Sequence, residues 1–155
     1  MPNNLRDTTT TELPCNLEEA RLLVLASSWK DGHVASRVLR DARIDCMVCN
    51  DIHELMAELN KGAGALLLVE EVLSEDALHL LEDYVVRQPD WSDISTLVLT
   101  YHGANSPLLD DWVQRLGNAT FLERPVRTAT LISAVRSILR GRRRQYQMRK
   151  SQQQL

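Results

Sequence analysis

Apolar residues along this 155-residue chain follow two patterns that alternate from one segment to the next. One pattern is a short continuous run, such as Ala65-Leu66-Leu67-Leu68-Val69. Such a run predicts a strand that is buried on both faces, as in the middle of a parallel sheet. The other pattern is an apolar residue every three or four positions, which predicts an amphipathic helix. The chain therefore predicts alternating strands and helices.

The continuous runs predict five strands, over residues 21–26, 44–49, 65–69, 95–100 and 119–122. Helical spacing of apolar residues predicts five helices, over residues 34–42, 52–59, 75–85, 107–116 and 127–140. Strict alternation through short loops favours right-handed crossovers and a parallel sheet with helices on both faces. Five strands suit the order 2-1-3-4-5. We predict an α/β fold of the flavodoxin-like kind, a doubly wound five-stranded parallel sheet with five helices.

The two ends of the chain differ in composition from the middle. Residues 1–16 are polar, with four consecutive threonines from Thr8 and a proline at position 14, and we expect a disordered lead-in there. Residues 17–141 contain all the predicted strands and helices and form the expected domain. Residues 142–155 are rich in arginine and glutamine, and we expect a basic helical linker or tail.

Charge is distributed unevenly along the sequence. Residues 1–123 carry a net charge of −12, whereas residues 124–155 carry +9 and contain no acidic residue. A basic segment can bind a nucleic-acid backbone. However, it contains no nucleic-acid-binding motif, and the acidic body would repel phosphates. We therefore do not expect a nucleic-acid partner, and we favour a helical extension toward another module.

Several classes of protein are excluded by what the sequence lacks. No apolar run approaches the roughly 20 residues of a membrane-spanning helix, so we expect no membrane partner. Residues 1–14 have no apolar core of a secretory signal, which favours a cytoplasmic location. Three cysteines, an odd number, argue against a disulfide framework. Cys46 and Cys49 lie on a predicted strand, where residues three apart face opposite sides, so we expect no metal and no cofactor there.

Two carboxylates mark one edge of the predicted sheet. Glu70 and Glu71 directly follow the third strand, where the chain leaves the sheet at its carboxyl edge. In open α/β folds this edge is the usual place for binding and catalysis. His102 follows the fourth strand at the same edge, although a solvated loop histidine is its simpler interpretation. The carboxyl edge is therefore the candidate functional site.

From residue 20 to about 141, the chain resembles the receiver domain of bacterial response regulators, which belongs to two-component signalling. The resemblance rests on the strand order, on Thr100 at the end of the fourth strand, and on Phe121-Leu122-Glu123-Arg124-Pro125. Members of this family usually have aromatic-Leu-x-Lys-Pro at that run, often with a cis peptide bond before the proline. The resemblance implies the same fold and a site at the carboxyl edge.

The resemblance also implies where the groups of a working receiver should lie. Two acids that hold Mg²⁺ fall on Ser27 and Ser28, and the phosphate-accepting aspartate falls on Glu70. The hydroxyl that contacts the phosphoryl oxygens is kept as Thr100, whereas the lysine falls on Arg124. Serine side chains bring no charge to a divalent ion. We therefore expect a degenerate phosphorylation site without a metal and without catalytic residues.

The same replacements predict a contact inside the chain. The carboxylate of Glu70 extends one methylene further than that of an aspartate, and the Arg124 guanidinium offers a carboxylate two parallel donors. We expect a Glu70–Arg124 pair where a receiver has a phosphate–lysine pair. Solvated loop carboxylates are the simpler alternative. A receiver that accepts phosphate at an atypical acid is the alternative function, and Asp31 is the one acid of the first loop that could restore metal binding.

The expected role is protein interaction. Receivers commonly associate through the fourth helix, the fifth strand and the fifth helix, which places Trp112 and Phe121 at a candidate interface, with core packing as the alternative for Trp112. The chain also resembles the N-terminal receiver-like module of some bacterial sensor histidine kinases. The resemblance implies a non-catalytic regulatory module whose partner is another protein or the kinase modules of the same chain. A homodimer is a further expected partner.

Overall fold

Five parallel strands form one sheet in the order β2-β1-β3-β4-β5 in the computed structural model, which describes residues 17–153. The strands are β1 (Leu22–Leu25), β2 (Cys46–Val48), β3 (Ala65–Val69), β4 (Thr96–Thr100) and β5 (Ala119–Glu123). The helices are α1 (Leu17–Ala20), α2 (Trp29–Asp41), α3 (Ile52–Lys61), α4 (Glu75–Arg87), α5 (Pro107–Leu116) and α6 (Thr128–Gln153). A single 3-10 turn, Glu70–Val72, follows β3.

The predicted fold class is confirmed, including the strand order and the parallel pairing. In the central register, Val24 lies opposite Leu67, and Leu67 lies opposite Leu97. The structure adds α1, a four-residue helix before β1, to the five predicted helices. The predicted lead-in, residues 1–16, lies outside the described residues.

Short polar side chains begin four of the helices. Ser28 accepts a hydrogen bond from the backbone N–H of Asp31, and Asp51 accepts one from that of Glu54. Ser74 and Ser106 do the same for α4 and α5. Each cap satisfies an N–H group that has no partner within the helix. These caps fix where each helix starts and therefore how long the loops at the carboxyl edge are.

Helices cover both faces of the sheet because alternate strand residues face opposite sides. On one side α3, α4 and α5 pack on the sheet, and on the other α2 and α6 do so. Cys49 belongs to the first side and Cys46 to the second, in agreement with the predicted strand geometry. Burial raises the pKa of Cys46 to about 11 and that of Cys49 to about 12. Both thiols therefore stay protonated at neutral pH and are poor nucleophiles.

Helix α6 continues without a break across the predicted domain boundary at residues 141 and 142. Its second half packs on the amino edge of the sheet. Arg142 is only 3% exposed, and its Nε donates to the carbonyl oxygen of Ala63 at 3.0 Å and its Nη1 to Ser92 Oγ at 2.8 Å. The hydroxyl of Tyr146 donates to the same Ala63 oxygen at 3.0 Å. Residues 142–153 are thus the second half of α6, and they contact the body of the domain.

Candidate functional site

Thr100 lies at the centre of the candidate site. It is the last residue of β4 and is buried, so its hydroxyl must find partners inside the protein. The hydroxyl donates a hydrogen bond to Oε2 of Glu70. It also accepts a hydrogen bond from the backbone N–H of His102 at 2.9 Å. The end of β4 therefore holds the Glu70 carboxylate and the following loop together.

The Glu70 carboxylate is close to two further groups that carry or can carry positive charge. Its Oε1 lies 3.5 Å from Arg124 Nη2, and its Oε2 lies 3.6 Å from His102 Nε2. The Glu70 side chain is 15% exposed, compared with 43% for that of Glu71. The structure thus brings Glu70, Thr100 and Arg124 together at the carboxyl edge, at the ends of three neighbouring strands.

The side-chain hydrogen bonds of Arg124 go to Glu71. Its Nη2 donates to Oε1 at 2.9 Å and to Oε2 at 2.8 Å of that residue. The guanidinium holds the pKa of the Glu71 carboxyl below its usual range, through these hydrogen bonds first and its charge second. The expected Glu70–Arg124 pair is present only as the longer 3.5 Å contact. The 3-10 turn brings the carboxylates of Glu70 and Glu71 close to the Arg124 guanidinium. The sequence did not indicate which of the two would form its hydrogen bonds.

Tyr101 supports Arg124 from the other side. The centre of the guanidinium lies 4.0 Å from the centroid of the Tyr101 ring, which is a cation–π contact. Sequence analysis missed this contact and the role of Glu71. The available signal was the position of Tyr101, directly after β4 and at the same edge as Arg124. The peptide bond between Arg124 and Pro125 is cis, in agreement with the family resemblance.

The two serines after β1 have different surroundings. Ser28 serves as the cap of α2, so its oxygen is already engaged by a backbone N–H. Ser27 is exposed and lines a cavity of about 180 Å³ with Asp31 and Arg124. Within residues 17–153, no group of three or more acidic, histidine or cysteine side chains is arranged to hold a metal ion.

Trp112, one of the two candidate interface residues, is a core residue. Its side chain is 4% exposed and stacks on Phe121 with ring centroids 6.1 Å apart. The His102 ring meets it edge-on at 6.2 Å. The Trp112 ring therefore offers almost no surface to a partner, and its packing connects the candidate site to α5. An interface at Trp112 and Phe121 stays a prediction; Leu108 and Val113 on α5 are exposed beside them.

The strand order and the parallel pairing give the chain the flavodoxin-like α/β fold that receiver domains share. Among solved structures, it is similar to NtrX from Brucella abortus, with 19% identity and a TM-score of 0.65. The match covers 84% of this chain and 28% of that one. No family model matches the sequence, and no curated protein does so.

Two smaller proteins match over nearly their whole length. CheY4, a chemotaxis protein of Vibrio cholerae, is 17% identical with a TM-score of 0.63, and the match covers 76% of this chain and 97% of that one. The signal receiver domain of an HD domain-containing protein from Pseudomonas fluorescens is 14% identical with a TM-score of 0.67, covering 88% and 96%. At these identities the likeness establishes the fold. In the described part of the chain, no helix is long and apolar enough to span a membrane.

Proposed function

We propose that this chain is a degenerate receiver domain, a non-catalytic regulatory and protein-interaction module in two-component phosphorelay signalling. The observation that carries the proposal is the Thr100 hydroxyl donating to the Glu70 carboxylate. In the receiver family, the corresponding hydroxyl and cation contact a phosphoryl group. In this chain the Glu70 carboxylate accepts the hydrogen bond of the Thr100 hydroxyl, and its Oε1 lies 3.5 Å from Arg124 Nη2.

The charges at the site support the same proposal. A receiver needs anionic oxygens after β1 to hold Mg²⁺, which prefers carboxylate and phosphate ligands. Ser27 is neutral, and Ser28 is engaged as a helix cap. Arg124 places a fixed positive charge beside Glu70 and Glu71, which disfavours a divalent cation in the same space. The arrangement fits a site that the Glu70 carboxylate occupies permanently better than it fits a reaction centre.

The proposed partner is another protein or the kinase modules of the same chain, in the cytoplasm, with a homodimer as a second form of association. The likeness to the N-terminal receiver-like module of sensor histidine kinases supports the assignment to a longer kinase. The exposed residues Leu108 and Val113 on α5, next to the site, suit a protein contact. Placing this module in a kinase rests on the sequence resemblance.

One observation favours a second function, a receiver that accepts phosphate at an atypical acid. Asp31 lines the same cavity of about 180 Å³ as Ser27 and Arg124. A carboxylate beside a cation in a cavity is an arrangement that can receive a phosphoryl group. The two functions make opposite predictions about phosphorylation.

The first prediction concerns phosphorylation itself. Incubation of the protein with Mg²⁺ and acetyl phosphate, followed by intact-mass measurement, should show no added phosphoryl group. The reasons are that residues 17–153 contain no Mg²⁺ ligand set and that Glu70, not an aspartate, follows β3. The variant with Ser27→Asp, Ser28→Asp and Glu70→Asp restores the implied acids. It should bind Mg²⁺ more tightly than the native chain in a calorimetric titration.

A phosphoryl group on the native chain would overturn the proposal. Its position would then follow from three variants, Glu70→Gln, Glu71→Gln and Asp31→Asn, of which the one that abolishes the added mass identifies the acceptor. Loss of the added mass in any one of the three variants would establish the second function, and loss in Asp31→Asn would place the acceptor in the first loop.

A further inference from the structure

A second concave surface lies at the opposite edge of the sheet and has the opposite charge. It is a groove between α6 and the loop that joins α2 to β2, with a cavity volume of about 370 Å³. Four arginines line it: Arg43 on the loop, and Arg136, Arg140 and Arg143 on α6. We call this surface the arginine groove. The groove is remote from Glu70 and plays no part in the function proposed above.

The charges in the arginine groove are not balanced by neighbours. Within residues 17–153, the side chains of Arg43, Arg140 and Arg143 form no hydrogen bond or ion pair. Two acids also line the groove, but Glu19 is ion-paired with Arg149 at 2.6 Å. Asp45 is therefore the one lining carboxylate without an ion pair in the described part of the chain. Four guanidinium groups around one carboxylate create a site for a ligand with several negative charges.

The arginines come from both sides of the groove. Arg136, Arg140 and Arg143 are spaced by four and three residues, so they lie on one face of α6. Arg136 is held in place because its Nη2 donates to the carbonyl oxygen of Ala42 at 3.1 Å. A ligand in the groove would meet guanidinium groups from the helix on one side and from Arg43 on the other. Guanidinium groups bind phosphate oxygens through two parallel hydrogen bonds.

Arg43 has an unusual backbone. Its φ is 67°, in the left-handed region, and it is the one residue other than glycine with a positive φ in the described part of the chain. Glycine or asparagine would adopt this conformation at lower cost. The conformation belongs to the end of α2, where the N–H of Arg43 donates to the Arg40 carbonyl oxygen at 2.8 Å and that of Ile44 to the Leu39 carbonyl oxygen at 3.0 Å. The Arg43 side chain can therefore be removed by Arg43→Gly without straining the backbone.

The floor of the groove is apolar. Leu139 and Ala42, both partly exposed, line it together with the exposed Ala20. Small-molecule sites in proteins are commonly of about 300–1,000 Å³ and combine an apolar surface with a few charged groups. The volume therefore suits one small organic molecule. We propose that the arginine groove binds a soluble organic ligand that carries two or more phosphate groups and a ring, such as a nucleoside di- or triphosphate.

Calorimetric titration of the whole protein tests this proposal, with ATP, AMP and inorganic tripolyphosphate as probes. ATP should bind with one site per chain and more tightly than either AMP, which has fewer charges, or tripolyphosphate, which has no ring. Binding should weaken as salt is added, because the contacts are charged and partly exposed. Equal affinity for tripolyphosphate and ATP would overturn the assignment of an organic ligand.

Matched variants locate the site. Arg140→Gln and Arg143→Gln should each weaken ATP binding about tenfold, the effect of losing one charge-assisted contact. Arg144→Gln is the control, since Arg144 is exposed on the same helix and does not line the groove. Arg43→Gly should weaken binding by a similar factor without lowering the melting temperature, which separates loss of binding from loss of folding.

Three outcomes would contradict the proposal. The first is no saturable ATP binding, and the second is an equal loss of affinity in Arg144→Gln and Arg143→Gln. The third is retention on anionic phospholipid vesicles or on an oligonucleotide without binding of free ATP, which would assign the groove to a polyanionic surface. None of these outcomes bears on phosphorylation at the carboxyl edge, so the two proposals fail independently.

Discussion

At the scale of single residues, Thr100 is the most consequential side chain of the candidate site. Its hydroxyl satisfies two polar groups at once, the Glu70 carboxylate and the backbone N–H of His102. The two partners follow neighbouring strands, β3 and β4. A buried hydroxyl with two partners is costly to remove, because each partner would then have to find a substitute.

Replacement of Thr100 by valine, which has almost the same shape, tests this role. Thr100→Val should lower the free energy of unfolding by about 1–2 kcal/mol, the cost of losing the hydrogen bonds of a buried group. Urea unfolding followed by circular dichroism measures the change. Thr120→Val is the matched control, since Thr120 is an exposed residue on β5, and it should change stability by less than about 0.5 kcal/mol. Equal changes in the free energy of unfolding for Thr100→Val and Thr120→Val would show that the Thr100 hydrogen bonds do not stabilise the fold.

A second residue-scale prediction concerns pH and the pair of Glu71 with Arg124. The pKa of Glu71 is below the ordinary value of 4.5 in the folded protein. The ionised carboxylate therefore stabilises the fold above that value, and this contribution is lost as pH falls through the folded pKa. Glu71→Gln should lower stability by about 0.5 kcal/mol at neutral pH, since the pair is partly exposed. The difference from the native chain should shrink below pH 4.5.

Unfolding in urea at a series of pH values measures this difference. Glu123→Gln is the control, because Glu123 is an exposed carboxylate at the end of β5 with no ion pair in the described residues. Glu123→Gln should leave the free energy of unfolding nearly unchanged at every pH. A Glu71→Gln effect that persists unchanged into acid would mean that the charge of Glu71 contributes nothing to stability.

The residue scale is also where sequence analysis was least complete. The family resemblance predicted that Glu70, Thr100 and Arg124 would meet at the carboxyl edge, where the parallel strands end. The choice of Arg124 between two adjacent carboxylates depends on the 3-10 turn after β3. No local pattern of residues in the sequence indicated that turn.

At the scale of secondary-structure elements, α6 differs most from expectation. Its first half was predicted because Leu131, Val135 and Ile138 recur at helical spacing. Its second half is mostly polar and basic, so periodicity gave no sign that it would pack on the body. Arg142 and Tyr146 bind the Ala63 carbonyl across 79 and 83 residues of sequence. Such long-range polar contacts are invisible to an argument from local pattern.

Gly141 lies inside α6 and provides an element-scale prediction. A Cβ built at this position meets no atom within 4 Å, so alanine fits without a clash. Gly141→Ala should raise the free energy of unfolding by about 0.5–1 kcal/mol, because glycine loses more backbone entropy in a helix. Thermal and urea unfolding measure the gain.

Gly64→Ala is the matched control, the same substitution in a crowded place. A Cβ there would lie 2.5 Å from Leu139 and 3.0 Å from the Ala20 carbonyl oxygen. Overpacking of this kind should destabilise the protein by about 1–3 kcal/mol. A loss of stability in Gly141→Ala would show that α6 needs the flexibility of glycine at residue 141.

At the scale of the whole molecule, the two edges of the sheet differ in the pairing of their charges. The carboxyl edge holds Glu70, Glu71 and Arg124 in internal ion pairs, whereas the arginine groove at the amino edge has cations without partners among the described residues. The fold itself was predictable, because alternating apolar patterns and short loops leave few topologies. The arginine groove was not predictable, because Arg43 and the arginines of α6 are more than 90 residues apart in the sequence.

The continuity of α6 across residue 141 restricts how the length of this helix can vary. Val135 packs in the core and Arg142 binds the amino edge two helical turns later, so both contacts depend on one rotational phase. Inserting or deleting one residue between them would turn Arg142 and Tyr146 by about 100° around the helix axis. Homologous chains that keep both contacts should therefore show no insertions or deletions between positions 135 and 142.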